Sequence, residues 1–280
     1  MAVRIVTDST ADLPLEIVEE LGITVIPCNV HFGQETFRDG VDMGPDGFYQ
    51  RLISESQLPT TSQPSPGVFL EAYRGLVEAG HQVVSIHVSG DLSGTVNSAL
   101  QAKEQLSDAA VEVIDSRQVS LALGLAVTAA ARAAKDGASW EDTIQVTRLA
   151  VENVRVVALL DTLEYLRRGG RVGKVKGFVG SLLRVRPLIT ASGGLVESVA
   201  SVRSRAAGIQ YMVTLAEEAA PLHQVAVLHA TTPDEATALV ERLRSLAPGG
   251  SVIQARVGPA LGTHAGPGTI GIAIHQAEKT

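Results

Sequence analysis

The sequence is poor in the residues that mark several common protein classes. A single cysteine, Cys28, stands among 280 residues, so no intrachain disulfide can form and a reducing cytosol suits the chain. Aromatic residues make up only 4% while apolar residues reach 45%, which calls for an interior built from Ala, Val, Leu and Ile. There is no basic excess: the net charge of −7 argues against a general nucleic-acid binder, which needs cations to displace counterions. The longest charge-free helical stretch, Gln118 to Ala131, is too short and too rich in alanine to span a bilayer. The opening MAVRIVTDST lacks the apolar core of a signal peptide, so a soluble, cytoplasmic protein is expected, with no stable membrane insertion. No P-loop, no GxGxxG after a strand and no GxSxG nucleophile elbow is present. One cysteine and scattered histidines give no zinc-ligand spacing.

What is present alternates short apolar runs with longer amphipathic ones, the rhythm of an α/β protein. Strands are expected at Val3–Thr7, Ile23–Pro27, Val83–Val88 and Val111–Ile114. A helix follows Pro14, another starts near Thr95, and a long Ala-rich helix ends at Gly137. Ser139 is a plausible N-cap, with Asp142 three residues on. Beyond about residue 154 the rhythm changes. Arg186–Thr190 and Leu195–Val199 flank the turn at 191–194 as a hairpin signal, so the second half is expected to carry a mixed sheet. Further strands are expected at Val154–Leu160, Val225–His229, Ser251–Val257 and Ile270–Ile274, with helices between them. Two domains follow: residues 1–153, three layers around a mainly parallel sheet, and residues 154–280, α/β with a mixed sheet.

Several loops carry hydroxyls where charges would be unremarkable. TDSTADLP at 7–14, SGDLSGT at 89–95 and IDS at 114–116 each follow a strand, at the edge where parallel sheets usually bind ligands. Ser93 and Gly94 should lie at a helix N-terminus, either as a cap or near an anion. In PTTSQPSPG at 59–67, Ser65 and Pro66 read as N-cap and N1, which leaves Thr60, Thr61 and Ser62 to a site or a solvated linker. Tyr165–Arg186 holds seven cationic residues (Arg167, Arg168, Arg171, Lys174, Lys176, Arg184, Arg186) and no acidic one. Gly169, Gly170, Gly173 and Gly177 are interleaved, so this stretch is either a solvated helix face, with Phe178, Leu182 and Leu183 as its buried side, or a surface for a phosphate or partner. GPALGTHAGPG at 258–268 reads as a ligand-holding loop centred on His264, or as a tight crossover with a polar tip.

Taken together, TDSTADLP, TTSQPSPGVF at 60–69, LSGT at 92–95, DS at 115–116, LEYLRRGGRV at 163–172, RPLI at 186–189 and GPALGTHAGPG occur in an order that resembles the DegV family. Its members include the fatty-acid-binding subunits of bacterial fatty acid kinases, and the resemblance covers essentially the whole chain. It implies a long-chain fatty acid, such as palmitate, stearate or oleate, held between two domains with its tail in an apolar tunnel. Carried over, the carboxylate ligands would be Thr61, Ser93 and His264, with Ser62 and Thr95 behind them. Arg171 and Arg203 match basic positions tied to phosphoryl transfer or partner contact. The resemblance also implies no cofactor, transient membrane contact at most, and a separate ATP-dependent kinase subunit that converts the bound acid to an acyl phosphate. The alternative from residue types alone is a serine hydrolase acting on an acyl ester, with Ser93 as nucleophile, His264 as base and Asp8 or Asp115 as orienter.

Overall fold

The chain opens with β1 (Val3–Asp8), a 3-10 turn at Ser9–Ala11, α1 (Leu15–Leu21) and β2 (Thr24–Ile26). Then come β3 (Asn29–Phe32), β4 (Glu35–Arg38), α2 (Pro45–Ser54), β5 (Thr60–Ser62), α3 (Pro66–Glu78) and β6 (Gln82–His87). The first half closes with α4 (Thr95–Glu104), β7 (Val111–Asp115), α5 (Ser120–Lys135) and α6 (Trp140–Asn153). The second half runs β8 (Val154–Leu159), α7 (Glu164–Arg168), β9 (Arg186–Ser192), β10 (Leu195–Val202), α8 (Arg205–Ala219) and β11 (Leu222–His229). It ends with α9 (Pro233–Leu243), β12 (Val252–Arg256), α10 (Pro259–Ala265) and β13 (Ile270–Gln276). The structure is a computed structural model that describes residues 2–106, 109–171 and 185–277. Among the described residues no helix is long and apolar enough to cross a membrane.

Three sheets organise these elements. The first, in the order β2-β1-β6-β7, is parallel throughout. The second, β10-β9-β8-β13-β11-β12, is mixed: only β11 and β12 run parallel. Both agree with the α/β class and the change of rhythm in the sequence. The third, β4-β3-β5, is a small antiparallel sheet that the strand signals did not include. Its strands are three or four residues long, too short for alternation to stand out. Thr60–Ser62 is therefore a sheet edge and not a solvated linker. The hairpin between β9 and β10 turns on Gly193 and Gly194, both at positive φ (56° and 87°), as a two-residue turn matching strand twist requires.

Helices cover both faces of the parallel sheet. Phe69, Tyr73, Ala99 and Ala102 of α3 and α4 pack on Val6, Val83 and Val111, while Leu123, Val127 and Ala130 of α5 pack on Ile5, Val84 and Ile86. The opposite side of α5, through Leu121, Ala122, Leu125 and Ala126, packs on Val156, Ala226, Leu228 and Ala273 of the mixed sheet. Buried on two sides, α5 has no room for charge along its first three turns and little for bulk, which explains its Ala-rich sequence. The far face of the mixed sheet meets Met212, Val213, Leu239 and Leu243 of α8 and α9. The Ser139 cap forms as its sequence suggests, its hydroxyl accepting the Asp142 N–H at 3.1 Å.

Candidate functional site

Side chains alternate along β8 and β9, so Val157, Leu159 and Leu188 serve the α8/α9 side while Val156, Ala158, Ile189 and Ala191 point the other way. Those four, with Val196 and Leu228, form one wall of a cavity holding about 1070 Å³ of atom-free space, its mouth included. Mostly apolar walls with a few polar groups suit a small-molecule ligand. Facing this wall are Val88, Leu92 and Ser93 from the loop after β6, Val119 and Ser120 at the start of α5, Thr61–Gln63 at β5, and Ala260, Leu261 and His264 of α10.

The segment read as a loop around His264 is thus largely a helix. Gly258 caps α10 and Pro259 occupies its first turn, while Gly266 ends it at φ 78°, the usual asymmetry of helix termini. Pro259, Ala260, Gly262 and Thr263 are buried, so the segment packs into the core. Gly262 is needed for space: a Cβ there would lie 2.7 Å from both Phe48 and Tyr49 of α2. Thr263 is spent on the helix itself, its hydroxyl donating to the Pro259 carbonyl at 3.0 Å. His264 is the polar side chain of α10 that lines the cavity.

At the polar end, His264 Nε2 lies 3.0 Å from Thr61 Oγ1, joining residues 203 positions apart. His264 Nδ1 is buried without a hydrogen-bond partner among the described residues. Burial, then the nearby Arg171 charge, pull the His264 pKa down to about 4, so the ring is neutral near pH 7. Nε2 faces an acceptor and Nδ1 faces none among the described residues, so we assign the ring proton to Nε2, donating to Thr61. The Thr61 hydroxyl hydrogen then remains available to a ligand.

Ser93 and Thr95 hydroxyls meet at 2.8 Å, and Ser93 Oγ also accepts the Thr95 N–H at 3.3 Å. Ser93 precedes the actual cap, Gly94, and lines the cavity, whereas Thr95 is buried behind it and does not. Ser62 lines the cavity with its hydroxyl 2.9 Å from His31 Nε2. Arg171 also lines it, donating to the Gly169 carbonyl at 2.7 Å. Arg203 is exposed at the end of β10, outside the cavity wall. Gly173, Lys174, Lys176, Gly177, Phe178, Leu182, Leu183 and Arg184 of the basic stretch lie outside the described residues.

A family model described as "Uncharacterised protein, DegV family" matches residues 2–277. The chain belongs to the DegV family. A DegV domain-containing protein of Streptomyces coelicolor is 36% identical over 277 residues, 97% of this chain and 98% of the relative. Among solved structures, a DegV family protein from Thermus thermophilus described as binding fatty acid superposes with a TM-score of 0.91 at 32% identity, covering 99% of this chain and all of its own. A stearic acid-binding protein from Eubacterium ventriosum superposes at 0.87 with 28% identity, covering 98% of each chain.

This DegV chain also buries charge that its sequence did not advertise as a unit. Asp8 and His87, both fully buried, pair at 3.0 Å. Burial pushes the Asp8 carboxyl up, but the His87 hydrogen bond and charge, helped by Thr10 and the Val88 N–H, hold it below the usual range. His87 Nε2 in turn lies 2.6 Å from Ser85 Oγ, which accepts from the Tyr73 hydroxyl at 2.7 Å. Ser85, His87 and Asp8 thus have the connectivity of a nucleophilic triad, yet none is solvent-accessible and none lines the cavity. The triad of the hydrolase alternative is not assembled. Asp8 holds His87, Asp115 accepts the backbone N–H groups of Gly90 and Arg117, Ser93 bonds to Thr95, and His264 bonds to Thr61. Two more carboxyls, Asp12 and Asp39, are buried at 7% and 4% exposure beside the start of α10. Asp12, the second aspartate of TDSTADLP, caps the 3-10 turn at φ 52°, and nothing in the sequence marked it or Asp39 as buried.

Proposed function

We propose that the chain binds a long-chain fatty acid such as palmitate, stearate or oleate, its tail in the aliphatic cavity and its carboxylate at the Thr61, Ser93 and His264 end. The observation that carries this is the Thr61–His264 hydrogen bond at the polar end of a cavity walled mainly by aliphatic side chains. Burying a tail contributes about 0.8 kcal/mol per methylene, on the order of 10 kcal/mol for sixteen carbons before the costs of binding. Affinity therefore need not come from an ion pair, and hydroxyl donors satisfy the carboxylate while leaving an oxygen reactive. Ser62 contributes from the same edge, and Thr95 acts through Ser93. The fatty-acid binding of the Thermus and Eubacterium relatives supports the ligand class.

The same reading extends to a partner. The chain presents the acid, without a cofactor of its own and without transforming it, to a separate ATP-dependent kinase subunit in the cytoplasm that forms the acyl phosphate. In this reading Arg171, which lines the cavity, meets a phosphoryl group, and exposed Arg203 meets the partner. The division falls at 153/154, where α6 gives way to β8.

Mass spectrometry of organic extracts from the purified protein tests the ligand. A C14–C18 fatty acid is expected, and an empty protein that takes up neither palmitate nor oleate would overturn the assignment. Ser93→Ala and His264→Ala are each expected to weaken palmitate by about tenfold.

A further inference from the structure

Asp12 and Asp39 straddle the first residue of the turn that leads into α10. Asp12 Oδ1 accepts the Gly258 N–H at 2.8 Å, and Asp39 Oδ2 accepts the Ala260 N–H at 3.2 Å. A Cβ on Gly258 would lie 3.2 Å from a carboxyl oxygen of each, so the backbone is gripped from both sides. Neither aspartate lines the cavity. Each is tied back into the N-terminal half: Ser120 donates to Asp12 at 2.6 Å and Ser9 to Asp39 at 2.8 Å. Ser9 Oγ also accepts the Cys28 N–H at 3.0 Å, and the Asp39 N–H donates to the Cys28 carbonyl at 2.8 Å. Cys28 leads directly into β3, whose Val30 is in register with Thr61 of β5.

One short chain of buried hydrogen bonds therefore fixes two things at once. It seats the helix that carries His264, and it seats the strand pair that carries Thr61. We propose that Asp12 and Asp39 are positioning residues of the carboxylate site, clasping the start of α10 so that His264 meets Thr61. Their role rests on the head-group assignment of His264 and Thr61 made above. A helix only seven residues long has little propensity to hold itself in place, so its seating comes from tertiary contacts. A shift of an ångström at its N-terminus is carried through to the imidazole.

The test compares palmitate with hexadecanol, which has the same tail and no carboxylate, on delipidated full-length protein. The carboxyl resonance of bound [1-13C]palmitate reports the head group directly. Asp39→Ala is expected to weaken palmitate by about tenfold and shift that resonance, with hexadecanol within about twofold of the native protein. Asp39→Asn keeps an acceptor oxygen and is expected to recover palmitate to within about threefold. Gly258→Ala keeps both carboxyls but crowds them, and is expected to move the resonance in the same way. If Asp39→Ala fails to fold, Gly258→Ala and Asp39→Asn decide the matter. Unchanged palmitate affinity and resonance in Gly258→Ala and Asp39→Ala, or equal losses for palmitate and hexadecanol, overturn the proposal. If His264→Ala also leaves palmitate unchanged, the head-group assignment itself falls and takes the clasp with it.

Discussion

Asp12 is expected to be a residue whose charge the fold would be better without. Burial, reinforced by the neighbouring Asp39 and Asp8 charges and opposed by hydrogen bonds from Ser120 and Gly258, raises its pKa from 3.8 to about 8. The folded state thus prefers the neutral acid, while the unfolded chain ionises near pH 4. Between these values the native protein holds a proton that the unfolded protein has released. Stability therefore falls as pH rises through that window and levels off above about pH 8. With each pKa unit equal to about 1.4 kcal/mol, the loss reaches ~4 kcal/mol at pH 7 and ~6 kcal/mol above pH 8.

Asp12→Asn removes the titration and keeps the bonds. The residue sits at φ 52°, ψ 29°, a left-handed conformation that asparagine adopts readily. The amide oxygen accepts the Gly258 N–H, and the amide nitrogen donates to Ser120, whose hydroxyl reverses its role. Urea unfolding followed by circular dichroism across pH 4–9 is the assay. The two proteins are expected to match near pH 4 and to diverge as pH rises, the variant being more stable by roughly 4 kcal/mol at pH 7. Parallel stability curves, or a variant less stable at pH 8, would refute the reasoning and show that α10 draws on the Asp12 charge.

Other consequences follow from the same geometry. His264, held at a pKa of about 4 by burial and Arg171, is expected to give flat ring NMR shifts from pH 8 down to 5; a midpoint near 6.5 contradicts its burial. Arg171→Ala is expected to raise that pKa, since it removes the second cause. His87→Ala strands the fully buried Asp8 and is expected to cost about 3–5 kcal/mol in denaturant unfolding; a loss under about 1 kcal/mol would show that the pair contributes little. Palmitate added to delipidated protein at one hundred times its Kd is expected to stabilise it by ~2.7 kcal/mol, read as a shift in the urea midpoint, and no shift would deny binding to the folded state.

The large elements were legible because their signals are local and repeated. The strands of both major sheets lie within a residue or three of their expected ends, and Gly193–Gly194 marks its hairpin by composition alone. The small sheet was not legible, since its three or four residues per strand are specified by packing on Phe48 and Tyr49 and not by their own pattern. The segment around His264 misled for a related reason. Its glycines suggest an open loop, yet Gly258 is small because two carboxyls flank it and Gly262 because α2 presses on it, both facts about distant residues. Hydroxyls at a strand end pointed to Ser93, and the family resemblance added Thr61 and Ser62; the structure gathers all three at one cavity. The buried Asp8–His87 and Asp12–Asp39 groups stayed hidden, because a carboxylate reads as surface until its partner is known.

The cavity itself has a simple origin in the mismatch between a helix and a sheet. A six-stranded sheet presents a face far wider than one helix can cover. On the α8/α9 side two helices lie across it, but on the other side α5 is shared with the parallel sheet and begins only at Ser120. Ala158, Ile189 and Val196 are thereby left facing Val88, Leu92 and α10 across a gap. An apolar surface that no element among the described residues covers suits an apolar occupant, and an unbranched acyl tail conforms to a gap of irregular width. The polar end arises where the covering elements are polar for reasons of their own: a sheet edge at Thr61, the approach to a helix cap at Ser93, and the last turn of α10 at His264. If the proposed fatty acid is the occupant, tail affinity is a property of the mixed sheet and head-group chemistry a property of the N-terminal half with α10, so substitutions in one are expected to leave the other largely intact.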